Sequence, residues 1–204
     1  ADKGRWFALL GIPLDTAPGK LEITVSSGST ASVLPVAVRS KAYPEQRLTI
    51  KDKRKVDPDP EDLARIARER EITDAVKRRF SADMPDTDFA LPASGPLSSR
   101  FGLRRIFNGR PRNPHAALDV AVGTGEPVKA PAAGVVANTG DYFFNGNTVF
   151  IDHGQGLITA YMHLSRIDVK PGDRVEKGQI LGAVGATGRA TGPHMHWSLK
   201  WADT

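Results

Sequence analysis

The sequence predicts a mainly β chain in three parts: a small N-terminal β domain over residues 1–55, a helical connector over 56–88 and a glycine-rich C-terminal β domain over 89–204. Three observations predict it. Short apolar runs with period-two alternation recur at both ends of the chain, which is the spacing of half-buried strands. Glycine, proline or asparagine stands at nearly every break between those runs. A single stretch near the middle carries helical spacing and a helix start signal.

The first part opens on "RWFALLGIPL", a compact apolar run, followed by turn chemistry in "APGK". "LEITVSSG" then alternates at period two, and "SVLPVAV" and "QRLTI" follow at similar intervals. No catalytic constellation is present in this segment, so packing or recognition is its expected role. In "VDPDPEDLARIARERE" the character changes. Asp59 suits an N-cap and Pro60 the first helical position, with Glu61 and Asp62 in the first turn. Leu63, Ile66, Ile72, Val76 and Phe80 form an interrupted apolar stripe, predicting a helix to about Phe80. The polar "SADMPDTD" completes the connector. From Phe89 onward "EPVKAPAAGVVANTG", "NTVFIDHGQGLITAYMHL" and "DRVEKGQILGAVG" are strand-length pieces cut by Gly, Pro and Asn.

Composition excludes several classes. Cysteine is absent, which removes disulfides, thiolate metal sites and a cysteine nucleophile. No run of eighteen apolar residues is present, so no stable membrane insertion of this segment is expected. The formal charge of +5 would suit an anionic partner. Much of that excess, however, lies in Arg65, Arg68, Arg70, Lys77, Arg78 and Arg79, interleaved with Glu61, Asp62, Glu69, Glu71 and Asp74 on the predicted helix. That reads as a mixed solvated face. With no zinc-finger spacing, P-loop or RNA-binding signature, a nucleic-acid partner is not expected. The start at Ala1-Asp2-Lys3, without an initiator methionine or apolar leader, is what a trimmed product of a longer precursor would present, and fits export.

All five histidines fall after residue 114, which assigns any metal chemistry to the second half. In "TGPHMHWSLK" His194 and His196 alternate with Met195 and Trp197, so both imidazoles are expected on one strand face. In "NPHAALDVAV" His115 and Asp119 are four apart, on one side of an extended strand. Imidazole and carboxylate are both common zinc ligands, and one histidine of "HMH" supplies a third donor, leaving a fourth position for water as in a hydrolytic site. There is no H-E-x-x-H, so the proton transfers need another residue. His163 and the remaining histidine of "HMH" are the candidates. Thr159, Tyr161 and His163 alternate, so Tyr161 is expected beside His163.

H-x-x-x-D, then "HGQG…TAYMHLS", then "GQILGAVGATGRATGPHMHW" strongly resembles the lysostaphin-type, or LytM-domain, peptidoglycan endopeptidases. The resemblance covers roughly Pro92 to Trp201 and includes "GPLSSRFGLRR" and "GTGEPVKAPAAGVV". It implies a β-sandwich/barrel-sandwich hybrid of the LytM type. It also implies one zinc ion per chain on His115, Asp119 and His196, with His163 and His194 as the non-ligand catalytic pair. The family usually has glycine two residues before the aspartate, where this chain has Ala117; the added methyl would crowd a backbone needing positive φ, but with all five functional side chains present it is expected to be tolerated. His153 also matches a family histidine and is expected to be structural, hydrogen-bonded at a strand end.

The implied activity is zinc-assisted amide hydrolysis of a peptide stem or cross-link of bacterial peptidoglycan. Glycine bridges and D-alanyl–diaminopimelate cross-links both occur as family substrates. The N-terminal half is similar to that of proteobacterial envelope members, which favours the second bond and a periplasmic site of action. The alternative is a LytM-like module that binds the wall or activates other hydrolases; such modules have lost zinc ligands, and none is missing here. "VKPGDRVEKGQILGAVG" also looks like a lipoyl or biotinyl carrier, but no lysine follows before Lys200. The N-terminal region is expected to contact the active-site groove and limit access to it, so that removing residues 1–88 raises the hydrolysis rate.

Overall fold

The computed structural model describes residues 10–201 and is mainly β. The predicted apolar run 5–14 lies partly outside the described residues. Strands β1 (Gly19–Ser27) and β2 (Thr30–Val38) pair as an antiparallel hairpin turning at Ser27–Thr30. Nearly every residue of this ribbon is exposed. Strand β3 (Glu45–Leu48) runs parallel to β5 (Arg104–Phe107), which also pairs with β6 (Arg110–Pro111). Between β3 and β5 in the chain lie helix α1 (Pro60–Lys77) and β4 (Leu97–Ser99).

The principal sheet has seven strands. In the order β7 (Leu118–Val120), β8 (Pro127–Lys129), β9 (Gly134–Tyr142), β10 (Gly146–Asp152), β11 (Leu157–Leu164), β12 (Arg166–Ile167), β13 (Arg174–Val175), β14 (Ile180–Ala183) and β15 (Met195–Trp201) the chain completes the fold. The sheet order is β13-β9-β10-β11-β15-β7-β4, and β12-β14-β8 forms a smaller second sheet. Strands β10 and β11 are buried almost throughout, as their unbroken apolar runs require when both faces are covered. One face packs Val149, Ile151, Tyr161, Leu181 and Met195 into the main core. The other packs Phe150, Ile158, Ala160 and Tyr142 under Val76 of α1.

The helix begins where predicted, with Asp59 Oδ1 accepting from the Asp62 amide at 2.8 Å, but it ends at Lys77, three residues short of Phe80. Of its predicted stripe only Val76 is buried. Leu63, Ile72 and Phe80 are exposed, while Asp62, Thr73 and Val76 are buried. Polar anchors hold it instead. Arg54 donates to both oxygens of Asp62 at 2.6 and 2.8 Å, and Glu69 Oε2 accepts from the Phe143 amide at 2.7 Å.

The turn between β10 and β11 fixes the segment after the helix. Gly154 sits at φ +105 with the Asp83 carbonyl where a Cβ would be, so only glycine fits. Gln155 donates from its backbone to Ser81 O at 2.9 Å and from Nε2 to Ala82 O at 3.0 Å. Phe150 is 1% exposed and meets Tyr142 edge-on at 6.0 Å under α1. Replacing Phe150 with alanine is expected to lower stability by about 3–5 kcal/mol in urea unfolding, by lost transfer and the cavity left behind.

Candidate metal centre and groove

Three neighbouring strands carry the site. On β15, His196 pairs with Asp119 of β7 on one side and with Met162 of β11 on the other. His115 lies just before β7, with its backbone amide donating to Leu103 O at 2.9 Å and its carbonyl accepting from the Gly102 amide at 2.7 Å. These pairings bring distant residues onto one carboxylate. His115 Nε2 lies 3.1 Å and His196 Nδ1 2.7 Å from Asp119 Oδ1, and the two nitrogens are 3.4 Å apart. His115 Nδ1 donates to Arg100 O at 3.0 Å, which orients the ring with Nε2 facing Asp119 and His196. The donor set of two imidazoles and one carboxylate, with one imidazole oriented by a carbonyl, fits a zinc ion.

His163 reaches this centre through an irregularity in β11. Asn147 pairs with Leu164 and Val149 with Tyr161, so β11 spends one residue more than β10 between the same two rungs. His163 adopts φ +64 in this bulge. Strict alternation would have put it on the face of Thr159 and Tyr161, which is the core. The bulge turns it to the groove instead, where its ring lies 4.9 Å from that of His194 and 5.6 Å from that of His196. Tyr161 is therefore not its companion; its hydroxyl meets Thr159 Oγ1 at 2.8 Å inside the core. His163 Nδ1 donates to Thr187 O at 2.8 Å. Thr187 is brought that close by Gly146, at φ +62, where a Cβ would lie 2.3 Å from Thr187 Oγ1.

His194 precedes β15 and holds an isolated bridge to Gly185. Its Nδ1 donates to Gly192 O at 2.9 Å and its Nε2 lies 3.9 Å from Asp119 Oδ1. All five side chains predicted from sequence thus converge. His163, His194 and His196 also form a second potential metal triad that shares His196 with the first.

Burial raises the Asp119 carboxyl, but the hydrogen bonds to His115 and His196 outweigh it and hold the group well below the usual carboxylate range. His163 is pushed down to about 3, first by burial and then by the charges of His196 and His194. His196 is lowered too, chiefly by burial and against the pull of Asp119. Ala117 is buried without a positive φ, so its methyl is accommodated.

Sequence reasoning missed Arg105. Its Nη2 donates to Asp119 Oδ2 at 3.1 Å from a side chain only 18% exposed. It lies within the quoted "FGLRR", but nothing in that string reveals a partner fourteen residues away. Also missed were Gln46, Leu48 and Ile50, which line a cavity together with Asp119, His163, His194 and His196. A larger groove of about 1060 Å³ runs from His163 and His196 past Arg189, Arg112 and Phe144 toward Lys77.

The pattern of peptidase family M23 matches residues 113–204. A crystal structure of a Pseudomonas aeruginosa protein assigned to the M23 peptidases is 46% identical, with a TM-score of 0.77, over 96% of this chain and 74% of that one. The chain belongs to the M23 peptidase family. It is also 39% identical to the peptidoglycan DD-endopeptidase ShyA of Vibrio cholerae, over 62% of this chain and 28% of that protein. To the DD-carboxypeptidase/endopeptidase Mpg of Neisseria meningitidis it is 39% identical over 51% of this chain and 24% of that protein. The chain thus spans about a quarter of the length of these curated relatives. A zinc-containing peptidase from Vibrio cholerae is 33% identical with a TM-score of 0.50, over 61% of this chain and 38% of that one.

His153 lies outside the groove, at the end of β10. Its Nδ1 donates to Ala133 O at 2.7 Å and its Nε2 lies 2.8 Å from Thr159 Oγ1. Burial pushes this imidazole below its ordinary value, with the Ala133 carbonyl and the Asp152 charge pulling back. The unfolded chain therefore takes up a proton near pH 6.5 that the folded chain resists, so stability falls as pH drops below about 6.5 until the lower folded value is reached. A His153→Gln variant is expected to lose stability less steeply than the parent between about pH 6.5 and 5, read by urea unfolding at each pH. Parallel curves would assign that acid sensitivity elsewhere.

Proposed function

We propose that the chain is a zinc-dependent endopeptidase that hydrolyses peptide stems or cross-links of bacterial peptidoglycan in the periplasm, with the D-alanyl–diaminopimelate cross-link as its bond. The observation that carries this reading is the convergence of His115 Nε2 and His196 Nδ1 on Asp119 Oδ1 beside an open groove. ShyA, named as a peptidoglycan DD-endopeptidase, supports the substrate class, and the zinc-containing relative supports the metal. Residues 89–204 carry the peptidase, with 1–55 and 56–88 as its N-terminal and helical parts.

His115, Asp119 and His196 would hold one zinc ion, which when bound supplies Lewis acidity toward a carbonyl and acidifies a water. Arg105 keeps the Asp119 carboxylate in place through its second oxygen. His163, neutral at physiological pH, offers a lone pair at Nε2 that orients the attacking water. His194, nearer the open rim, takes up the proton and returns it to the leaving amine. General acid–base roles of this kind are typically worth about 10²–10⁴ in rate.

Mass spectrometry of muropeptides released from purified peptidoglycan tests the reading. The zinc-loaded parent is expected to release fragments whose masses identify the bond, and a folded His196→Ala variant none. His163→Ala and His194→Ala are each expected to lower kcat by about 10²–10⁴. No release by the parent would turn the reading toward a wall-binding module.

The N-terminal region is read as narrowing access, supported by the presence of Gln46, Leu48 and Ile50 in the wall of the cavity at His194. Removing residues 1–88 would also remove β3, a partner of β5, so a single substitution is the cleaner test. Gln46 Nε2 donates to Ser99 Oγ at 2.8 Å while its Oε1 is buried without a partner among the described residues. Gln46→Ala is expected to raise the hydrolysis rate several-fold on intact sacculi, with little change on a short soluble peptide. An unchanged or lower rate on sacculi, in a variant with parental melting, rules this role out.

A further inference from the structure

Arg189 follows the Thr187 turn that orients His163. Its guanidinium is stacked between two rings, 5.0 Å from the centroid of Phe107 and 4.3 Å from that of Phe144. The residue is half-buried, and among the described residues its guanidinium makes one hydrogen bond, a long one from Nη1 to Lys55 O at 3.5 Å. No ion pair joins it to a carboxylate among the described residues; its charged neighbours are Arg105 and Arg112. Burial first, and then those two cations, push its pKa down to about 10, so it keeps its charge at neutral pH without an anion to balance it.

The surrounding donors are also undersupplied. Arg105 Nε and Arg112 Nε are buried with no hydrogen-bond partner among the described residues. Arg112 Nη2 donates to Val56 O at 2.8 Å, and its nearest carboxylate, Asp57, is 3.9 Å away. The carboxylates on the groove are already committed. Asp119 is shared by His115, His196 and Arg105, and Asp74 is paired with Arg70 and Lys77 at 3.5 and 3.6 Å. A guanidinium without a carboxylate of its own, set beside two others in one groove, is costly to maintain, because a buried charge is tolerated when it is paired.

The groove and the smaller cavity share Arg105, Phe107, His163, Arg189 and His196 in their walls. The unpaired Arg189 therefore stands beside the two histidines of the hydrolytic site, at the junction of both spaces. We propose that Arg189, with Arg105 and Arg112 behind it, forms a subsite for a free carboxylate on the substrate peptide immediately next to the scissile amide. The planar fork of a guanidinium matches a carboxylate in two parallel hydrogen bonds, and ring stacking holds the fork in one orientation before binding. This inference rests on the hydrolase reading above and narrows its substrate class. A diaminopimelate cross-link carries a carboxylate on the carbon that bears the scissile nitrogen. An amidated stem has lost that charge, and an internal bond of a glycine bridge has no carboxylate there. Arg189 is thus a specificity-determining residue rather than a catalytic one.

The test uses the 204-residue chain and two cross-linked muropeptide dimers that differ only in whether this carboxylate is free or amidated. The zinc-loaded parent is expected to favour the free acid by roughly ten- to a hundredfold in kcat/KM, the worth of one charge-assisted contact. Arg189→Gln is expected to remove that preference by slowing only the acid, and Arg189→Lys, which keeps charge but loses the fork, to retain part of it. A parent that treats the two dimers alike, or an Arg189→Gln variant that still prefers the acid, overturns the subsite and leaves the hydrolase reading standing.

A second arm measures calorimetric binding of the stem tripeptide L-alanyl-γ-D-glutamyl-diaminopimelate and of its diaminopimelate amide, with no turnover required. Tighter binding of the acid that disappears in Arg189→Gln upholds the subsite even if neither dimer is cleaved, in which case the hydrolase reading fails alone. Neither cleavage nor a binding preference overturns both.

Discussion

Oδ1 of Asp119 receives two imidazoles while Oδ2 receives Arg105, and the side chain is only 5% exposed. Taking a carboxylate this far out of water costs several kcal/mol even after relaxation, so it is tolerable only with every lone pair engaged. That requirement orders the surrounding chain. Asp119 must stand opposite His196 on β15 and next to Ser99 on β4, and His115 must reach back from the segment before β7. Arg105 must come across from the small sheet that β3 helps to build. Each partner belongs to a different part of the sequence, so the site assembles only when the sheet has its full order.

Locally coded features were legible before the structure. Period-two alternation found β1, strand-length apolar pieces bounded by Gly, Pro and Asn found β2 and most of the central strands, and Asp59-Pro60 marked the first turn of α1, because these patterns are set by near neighbours. The five side chains of the site were legible through the spacing of their motifs. What escaped depends on register between distant strands. The parallel pairing of β3 with β5 and the contact of Arg105 with Asp119 leave no local trace. The helix misled for another reason. Its apolar residues suggest a stripe, yet Leu63 and Ile72 stay in solvent while ion pairs and Val76 dock it on the sheet.

The groove departs from the rest of the molecule in its electrostatics. Elsewhere the charges pair across the surface, as in Arg166 with Asp168 or Lys177 with Asp88. Arg189 has no carboxylate partner among the described residues, and aromatic faces take the place of one. Aromatic rings cushion a guanidinium without neutralising it, which leaves its field available to whatever enters the groove. Such an arrangement trades stability for recognition, since a fully paired cation would bind nothing further.

The bulge in β11 gives this chain a dependence on parity. Between Tyr161 and Leu164 the strand carries one residue more than the β10 segment it faces, and that surplus alone decides that the imidazole of His163 emerges on the groove side of the sheet. A sequence that kept all five groove residues but added one position to the β10 segment between Asn147 and Val149 would restore strict alternation along β11, conserve every letter of the site and turn His163 toward the hydrophobic interior. Counting is therefore as much a part of the site's inheritance as spelling, and relatives are best compared here by the length of this short interval as well as by its composition.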